Sequence, residues 1–331
     1  MSEVKMKDLA AAVGVSVVTV SNALAGRKGV SDDVRFRVEK AAREMGYDMK
    51  KNDRQQGAVI GVVVSEKYIT VGGSFYWALY QNVAYEASKA QSVTMLEIIT
   101  LSMEQNEELP KLLKEKAIGG LIVIGWMSGS YVEKIVLAAG IPVVLLDFQI
   151  RGLCCDAVMS SNYVGMYKMT RYLMEKGHRD IAFVGSIRAN DNILDRYYGY
   201  RKALMEAGIK ERKDWILEDR DRKDGVIGVE MPEKMPSAFV CNSDWAAGQL
   251  YDTLSELGYR IPEDVSIVGY DNYLYNNSFA DRLTTYNVDM KQMARQAVKL
   301  LKGKIRGDGR RWGTRYVDGA VVERQSVRAL K

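Results

Sequence analysis

Along the first 47 residues, apolar positions recur at helical spacing in three short stretches separated by polar breaks. Leu9, Ala10 and Val13 share one face, and Gly14 then supplies a residue that tolerates the left-handed backbone a helix end needs. Ser16 offers an N-cap to the next stretch, where Val20 and Leu24 turn inward while Val17, Val18, Thr19, Ser21 and Asn22 stay on the outer face. Ser31 caps a third helix. Asp32 and Asp33 occupy its first turn, where the helix dipole favours acids, and Val34, Val38, Ala41 and Met45 form its core stripe. The pattern predicts three short helices over residues 1–47, two of them at helix-turn-helix spacing.

Residues 48–57 are polar and read as a linker. Beyond it the pattern changes to short, nearly continuous apolar runs, Ala58 to Val64, Gly120–Ile124, Val143–Leu146, Ile181–Val184, Ala238–Val240 and Val265–Val268. Helical patterns lie between them: Tyr76 to Ala90, Met103 to Glu115, Val132 to Ala139, Tyr163 to Lys176, Tyr198 to Ala207 and Ala246 to Leu257. Strands buried on both faces and alternating with helices predict parallel sheets covered by helices, and residues 58–331 hold two such cycles. In this architecture ligands sit beyond the carboxyl ends of the strands, and two facing sheets make a cleft.

The composition, 47% hydrophobic and 27% charged over 331 residues, is that of two or three globular domains. No apolar run approaches the ~18 residues of a membrane span, and the first residues lack a signal-peptide core, so a cytoplasmic protein without a membrane partner is expected. Cys154, Cys155 and Cys241 have neither metal-ligand nor disulfide spacing and read as reduced thiols. One histidine, no phosphate-binding glycine loop and no nucleophile–base pair leave no catalytic residues, no metal site and no cofactor to nominate. His178, before a strand, reads as turn packing.

Asp8-Leu9-Ala10, Gly14-Val15-Ser16, Thr19-Val20-Ser21, Val30-Ser31 and Gly46-Tyr47 resemble the signature of the lactose-repressor (LacI/GalR) family. Further on, Ile60-Gly61-Val62, Ile141-Pro142-Val143-Val144, Gly177-His178, Val268-Gly269-Tyr270-Asp271 and Leu283-Thr284-Thr285 resemble its periplasmic-binding-protein-like core. The resemblance implies an α/β protein, with a three-helix DNA-binding head (1–47), a hinge linker (48–57) and a two-lobed effector-binding and dimerisation core (58–331). The lobes are expected at about 58–160 with 291–320, and about 161–290 with 321–331. It further implies a sequence-specific transcriptional regulator, a repressor, binding a pseudo-palindromic duplex operator as a homodimer under control of a small-molecule effector. With no heptad tail, a dimer is expected rather than a tetramer. The alternatives are a sugar-binding module with a vestigial head and a sugar-processing enzyme.

By resemblance Val17 and Val18 are the main specificity positions, suited only to apolar contacts such as thymine methyls. Asn22 stands where many relatives have arginine, and asparagine prefers adenine. Ser16, Thr19, Ser21 and Ser31 suit phosphates, with Lys5, Lys7 and Lys28 nearby; for Ser16 and Ser31 capping is an equal alternative. In the linker, Lys50, Lys51 and Arg54 are candidate backbone contacts, but Asp53 and Gln56 replace the family's apolar wedge, so a less bent operator is expected. For the effector, Asp147, Asn162, Arg196, Asn242 and Asp271 are hydrogen-bonding candidates, and Phe75, Tyr76 and Trp245 are stacking candidates, with Arg196 placed just before a helix. Two acids, an amide and one arginine favour a sugar or sugar derivative, with a purine or carboxylate open.

Overall fold

The computed structural model describes residues 4, 6–24, 29–47, 59–69, 75–220, 229–273, 279–307 and 309–330. Three helices form the head: α1 (Met6–Val13), α2 (Val17–Leu24) and α3 (Asp32–Glu44). Gly14 takes φ +73°, and the chain bends by 101° between α1 and α2. That is the angle a helix-turn-helix needs. Leu9, Ala10, Val13, Val20, Ala23, Val38 and Ala42 make its core. Met45, expected in the α3 stripe, is exposed instead, because the helix ends at Glu44 and Ala42 takes the inward place.

The rest of the chain builds two six-stranded sheets. The first contains β1 (Ile60–Ser65), β2 (Thr94–Ile99), β3 (Gly120–Ile124), β4 (Val143–Leu146), β5 (Asp156–Ser160) and β11 (Thr314–Val317), in the order β11-β5-β4-β3-β1-β2, all parallel. The second contains β6 (Ile181–Val184), β7 (Ile216–Leu217), β8 (Ala238–Cys241), β9 (Ser266–Asp271), β10 (Thr284–Asn287) and β12 (Ala320–Val322), in the order β12-β10-β9-β8-β6-β7. Only its β12 edge is antiparallel. Helices α4 (Phe75–Lys89), α5 (Leu101–Gln105), α6 (Lys111–Lys114), α7 (Gly129–Ala139) and α11 (Met290–Ile305) cover the first sheet. Helices α8 (Asn162–Glu175), α9 (Asp191–Glu206) and α10 (Asp244–Glu256) cover the second. Both sheets reverse strand order beside their first strand, which leaves a crevice at the carboxyl ends.

Three connections pass between the sheets, β5 to α8, β10 to α11 and β11 to β12. Tyr270 and Tyr286 stack at 4.8 Å beside all three: the Ser160 and Tyr270 hydroxyls lie 3.3 Å apart, and Tyr286 donates to Asp318 at 3.0 Å. Two buried aromatic rings thus pack where the lobes meet.

Two predicted helices are corrected. Met103 to Glu115 is broken into α5 and α6: Glu107 turns left-handed and Pro110 cannot continue a helix, while the Glu97 carboxylate caps α6 through the Lys111 and Leu112 amides at 2.8 and 3.0 Å. The helix expected from Tyr198 starts at Asp191, capped by the Asn190 side chain on the Ile193 amide, so Arg196 lies inside α9 rather than before it. Among the described residues no single helix is long and apolar enough to cross a membrane.

Candidate functional site

The head presents one outer face. Ser16 Oγ accepts from the Thr19 amide at 3.0 Å and Ser31 Oγ from the Val34 amide at 3.4 Å, so both serines cap helices. Val20 and Ala23 anchor α2 in the core, and Val17 and Val18 are turned out, Val18 with 68% of its surface exposed. Asn22 and Ser21 stand one turn further along the same face, half-buried, and Lys7 is exposed on α1. Lys5, Lys28, Lys50, Lys51 and Arg54, together with Asp53 and Gln56, lie outside the described residues.

The second site is the crevice between the sheets. Asp147 directly follows β4 and Asp271 ends β9, both buried and both held at positive φ, 67° and 111°. Strained backbone at a strand end turns each carboxylate out of the sheet and into the crevice. From α9, Arg196 donates through Nε to Asn162 Oδ1 (2.8 Å) and through Nη1 to the Asn242 carbonyl (2.6 Å). Its Nη2 lies 3.6 Å from Asp271, and the guanidinium rests 4.0 Å above the Tyr270 ring. Tyr76 donates to Asp147 Oδ2 at 3.2 Å. Arg196 and its partners are buried, which strengthens each of these bonds.

The structure therefore brings Tyr76, Asp147, Asn162, Arg196, Asn242 and Asp271 into one constellation. Phe75 joins it edge-to-face with Tyr76 (5.4 Å) and with Tyr273 of the other lobe (6.3 Å). Trp245 stands to one side, its ring 5.9 Å from the Arg220 guanidinium. Asn242 is already used by the fold: its Nδ2 donates to Asp219 Oδ2 (2.8 Å) and to the Val184 carbonyl (3.1 Å).

Two polar atoms are left over. Among the described residues, Asp147 Oδ1 and Asn162 Nδ2 are buried without a hydrogen-bond partner, one an acceptor and one a donor. An unmatched acceptor and donor beside a shared arginine are what a ligand hydroxyl satisfies. Burial pushes the Asp147 carboxyl up to about 6, against the Arg196 charge and the Tyr76 hydrogen bond. Burial likewise raises Asp271 to about 7, with Arg196 opposing and Asp147 adding.

Sequence reasoning missed four residues of this site. Asn192 sits one turn before Arg196 and reaches Asp147, a spacing visible only once α9 is started at Asn190. Tyr68 packs against Tyr76 at 4.4 Å. Asp219 and Arg220 pair at 2.7 Å in a loop with no periodic signal. Burial works against the Asp219 carboxylate, yet Arg220, Asn242 and the Ser186 amide hold its pKa below the usual range. His178 is buried between Ser237 Oγ (2.9 Å) and the Arg328 carbonyl (3.1 Å), with no part in the crevice, and burial lowers its pKa.

A helix-turn-helix head joined to a two-lobed crevice with hydrogen-bonding side chains at its strand ends defines a ligand-responsive DNA-binding protein. Residues 5–49 match the model of bacterial regulatory proteins of the lacI family, and residues 170–327 match the periplasmic binding protein-like domain. The chain thus joins a head of the lacI type to a periplasmic-binding-protein-like core, and it is a transcriptional regulator, not an enzyme. It is 27% identical to the ribose operon repressor of Haemophilus influenzae over 98% of this chain and 99% of that one. It is 28% identical to the HTH-type transcriptional repressor PurR of Erwinia tasmaniensis over 97% and 96%. Among solved structures, the lac repressor dimer bound to operator and the anti-inducer ONPF superposes with TM-score 0.69 at 20% identity, covering 99% of this chain and all of that one. A LacI family regulator from Enterococcus faecium with bound ribose superposes with TM-score 0.66 at 25% identity, covering 82% of this chain and all of that one.

Proposed function

We propose that this protein is a cytoplasmic, homodimeric repressor whose affinity for a pseudo-palindromic operator is set by a sugar bound in the crevice. The observation that carries the ligand class is the pair of atoms left unsatisfied among the described residues, Asp147 Oδ1 and Asn162 Nδ2, in the same constellation as Arg196. An acceptor and a donor beside two acids and one arginine match vicinal hydroxyls better than a purine edge or a lone carboxylate. The relative named for the ribose operon, and the relative with ribose bound, support trying pentoses first.

On the DNA, Val17 and Val18 meet thymine methyls, Asn22 pairs with adenine, and Thr19, Ser21 and Lys7 hold phosphates. Ser16 and Ser31, engaged as caps, contribute mainly by fixing their helices. Lys5, Lys28, Lys50, Lys51 and Arg54 add charge. In the dimer, the exposed Met95 and Ile98 of the β2 edge, with Leu101 just beyond it, are covered by the second copy, since an apolar open edge invites strand-side pairing.

Thermal shift with ribose, other sugars, purine bases and sugar acids tests the ligand class. A sugar at 100 times its dissociation constant adds about 2.7 kcal/mol of stability. Anisotropy on a duplex from upstream of the gene, with and without that sugar, tests the coupling. A response only to purines or acids overturns the ligand, and equal affinity for scrambled duplex overturns the regulator.

A further inference from the structure

Residues 302–315 hold six basic side chains, Lys302, Lys304, Arg306, Arg310, Arg311 and Arg315, against one acid, Asp308. Their net charge equals the formal +5 of the whole chain, so the remainder is neutral. The stretch links the end of α11 to the start of β11, and Arg306, Arg310, Arg311 and Trp312 are exposed. Its base is fastened: the Gly313 amide donates to Asp156 Oδ1 at 3.1 Å, Lys304 pairs with Asp156 at 3.8 Å and lies over the Trp312 ring at 5.5 Å, and Lys304 also donates to the Arg310 carbonyl.

Where this loop stands follows from the topology. The first sheet is wholly parallel, so the amino ends of all its strands share one edge, opposite the crevice. The linker from the head enters at that edge, where the Val59 carbonyl accepts from the Gly119 amide at 2.9 Å just before β1. β11 is four strands from β1, so Thr314 lies about 19 Å along the edge from Ile60, close to the width of one duplex. From Tyr47 to Val59 the chain spans at most about 40 Å. A duplex held by the head is therefore tethered within reach of the edge that carries this charge.

We propose that the exposed loop between α11 and β11 is a second DNA-binding element, contacting phosphates of the duplex gripped by the head. Duplex DNA is the partner because the net charge is strongly positive, is carried by guanidinium forks suited to phosphate, and lies on the same sheet edge as the linker's entry point. The loop supplies affinity without reading bases. It also gives a source of grip that does not depend on the linker, where Asp53 and Gln56 are poor minor-groove wedges. The proposal rests on the operator-binding reading above.

The test compares the full-length protein with a R306A/R310A/R311A variant, by anisotropy on the upstream duplex and a scrambled duplex, between about 50 and 200 mM salt. For every phosphate no longer neutralised, the slope of log K against log salt becomes shallower by about 0.9. The variant is expected to bind both duplexes about 10- to 100-fold more weakly with a shallower slope, while the ratio between duplexes and the ligand-induced thermal shift stay as in the parent. Parent-like affinity and slope in the variant overturn this proposal alone. Failure of the parent itself to prefer the upstream duplex overturns the regulator reading, and the proposal with it.

Discussion

Asn192, on α9 of the second lobe, donates to both the backbone carbonyl (2.8 Å) and the Oδ2 (3.2 Å) of Asp147 at the tip of β4 in the first lobe. One side chain thereby fastens the two sheets across the crevice. Among the described residues the Oδ1 of the same carboxylate has no partner, so in the proposed function lobe contact and ligand binding meet on one residue.

Removing that fastening separates the two roles. In Asn192→Ala the fold remains, but ligand affinity falls by roughly 2- to 12-fold, the equivalent of about 0.5–1.5 kcal/mol for one hydrogen bond. Calorimetry with the sugar found by thermal shift checks this, and unchanged affinity argues that the contact across the crevice is idle.

Arg196 joins three partners with a planar fork that lysine cannot reproduce. Arg196→Lys is expected to lose on the order of 1.5–3 kcal/mol of ligand binding. Arg196→Ala, which strands the buried Asp271 carboxylate, is expected to lose about 3–5 kcal/mol of folding stability. Chemical denaturation of the two variants distinguishes the effects.

Asp147 carries a pH signature. Burial raises its carboxyl to about 6 in the folded protein, whereas the unfolded chain releases that proton near pH ~4. Folding takes up a proton between those values, so the acid's contribution is complete below about pH 4 and is lost as pH rises through 6. Asp147→Asn is expected to melt a few degrees above the parent near pH ~8 and level with it near pH ~4.5. His178 acts in the opposite sense: burial lowers its pKa from 6.5, so its contribution holds above 6.5 and fades as pH falls below it. Melting curves across this range read both, and a pH-independent difference for Asp147→Asn contradicts the first.

In the head, stability and base choice sit on different residues. Ser16→Ala removes the cap on α2 and is expected to cost about 1 kcal/mol of head stability. Asn22→Arg is expected to leave stability alone and shift preference from adenine toward guanine by about 1–3 kcal/mol. Selection of bound duplexes from a random pool shows whether one position changes.

Gly199 lies where α9 crosses α8, and a Cβ there would fall 2.2 Å from the Tyr163 carbonyl oxygen. Backbone cannot yield as a side chain can. Gly199→Ala is expected to destabilise the second lobe by about 1–3 kcal/mol or more, visible as a lowered denaturation midpoint.

The head and the alternating core were legible because their signals are local. Gly14 before Ser16, and the runs Val143–Leu146 and Ile181–Val184, state their conformations within a few residues. The β2 strand was missed because it is an edge, half exposed along its length, with no continuous apolar run. β11 and β12 carry weak patterns for the same reason, and α6 depends on Glu97, a residue fourteen positions away in the chain.

By itself the sequence determined the three-helix head, the alternation that makes two parallel sheets, and the side chains at the ends of β4, β8 and β9. Each follows from periodicity, capping and turn chemistry, which act between neighbours in the chain. Tertiary structure alone decided that Arg196 joins Asn162, Asn242 and Asp271, that Asn192 reaches across to Asp147, and that the basic loop shares an edge with the linker's entry. Those pairings join residues tens to hundreds of positions apart, and only the packing of helices on sheets and the parallel order of strands fix which of them meet.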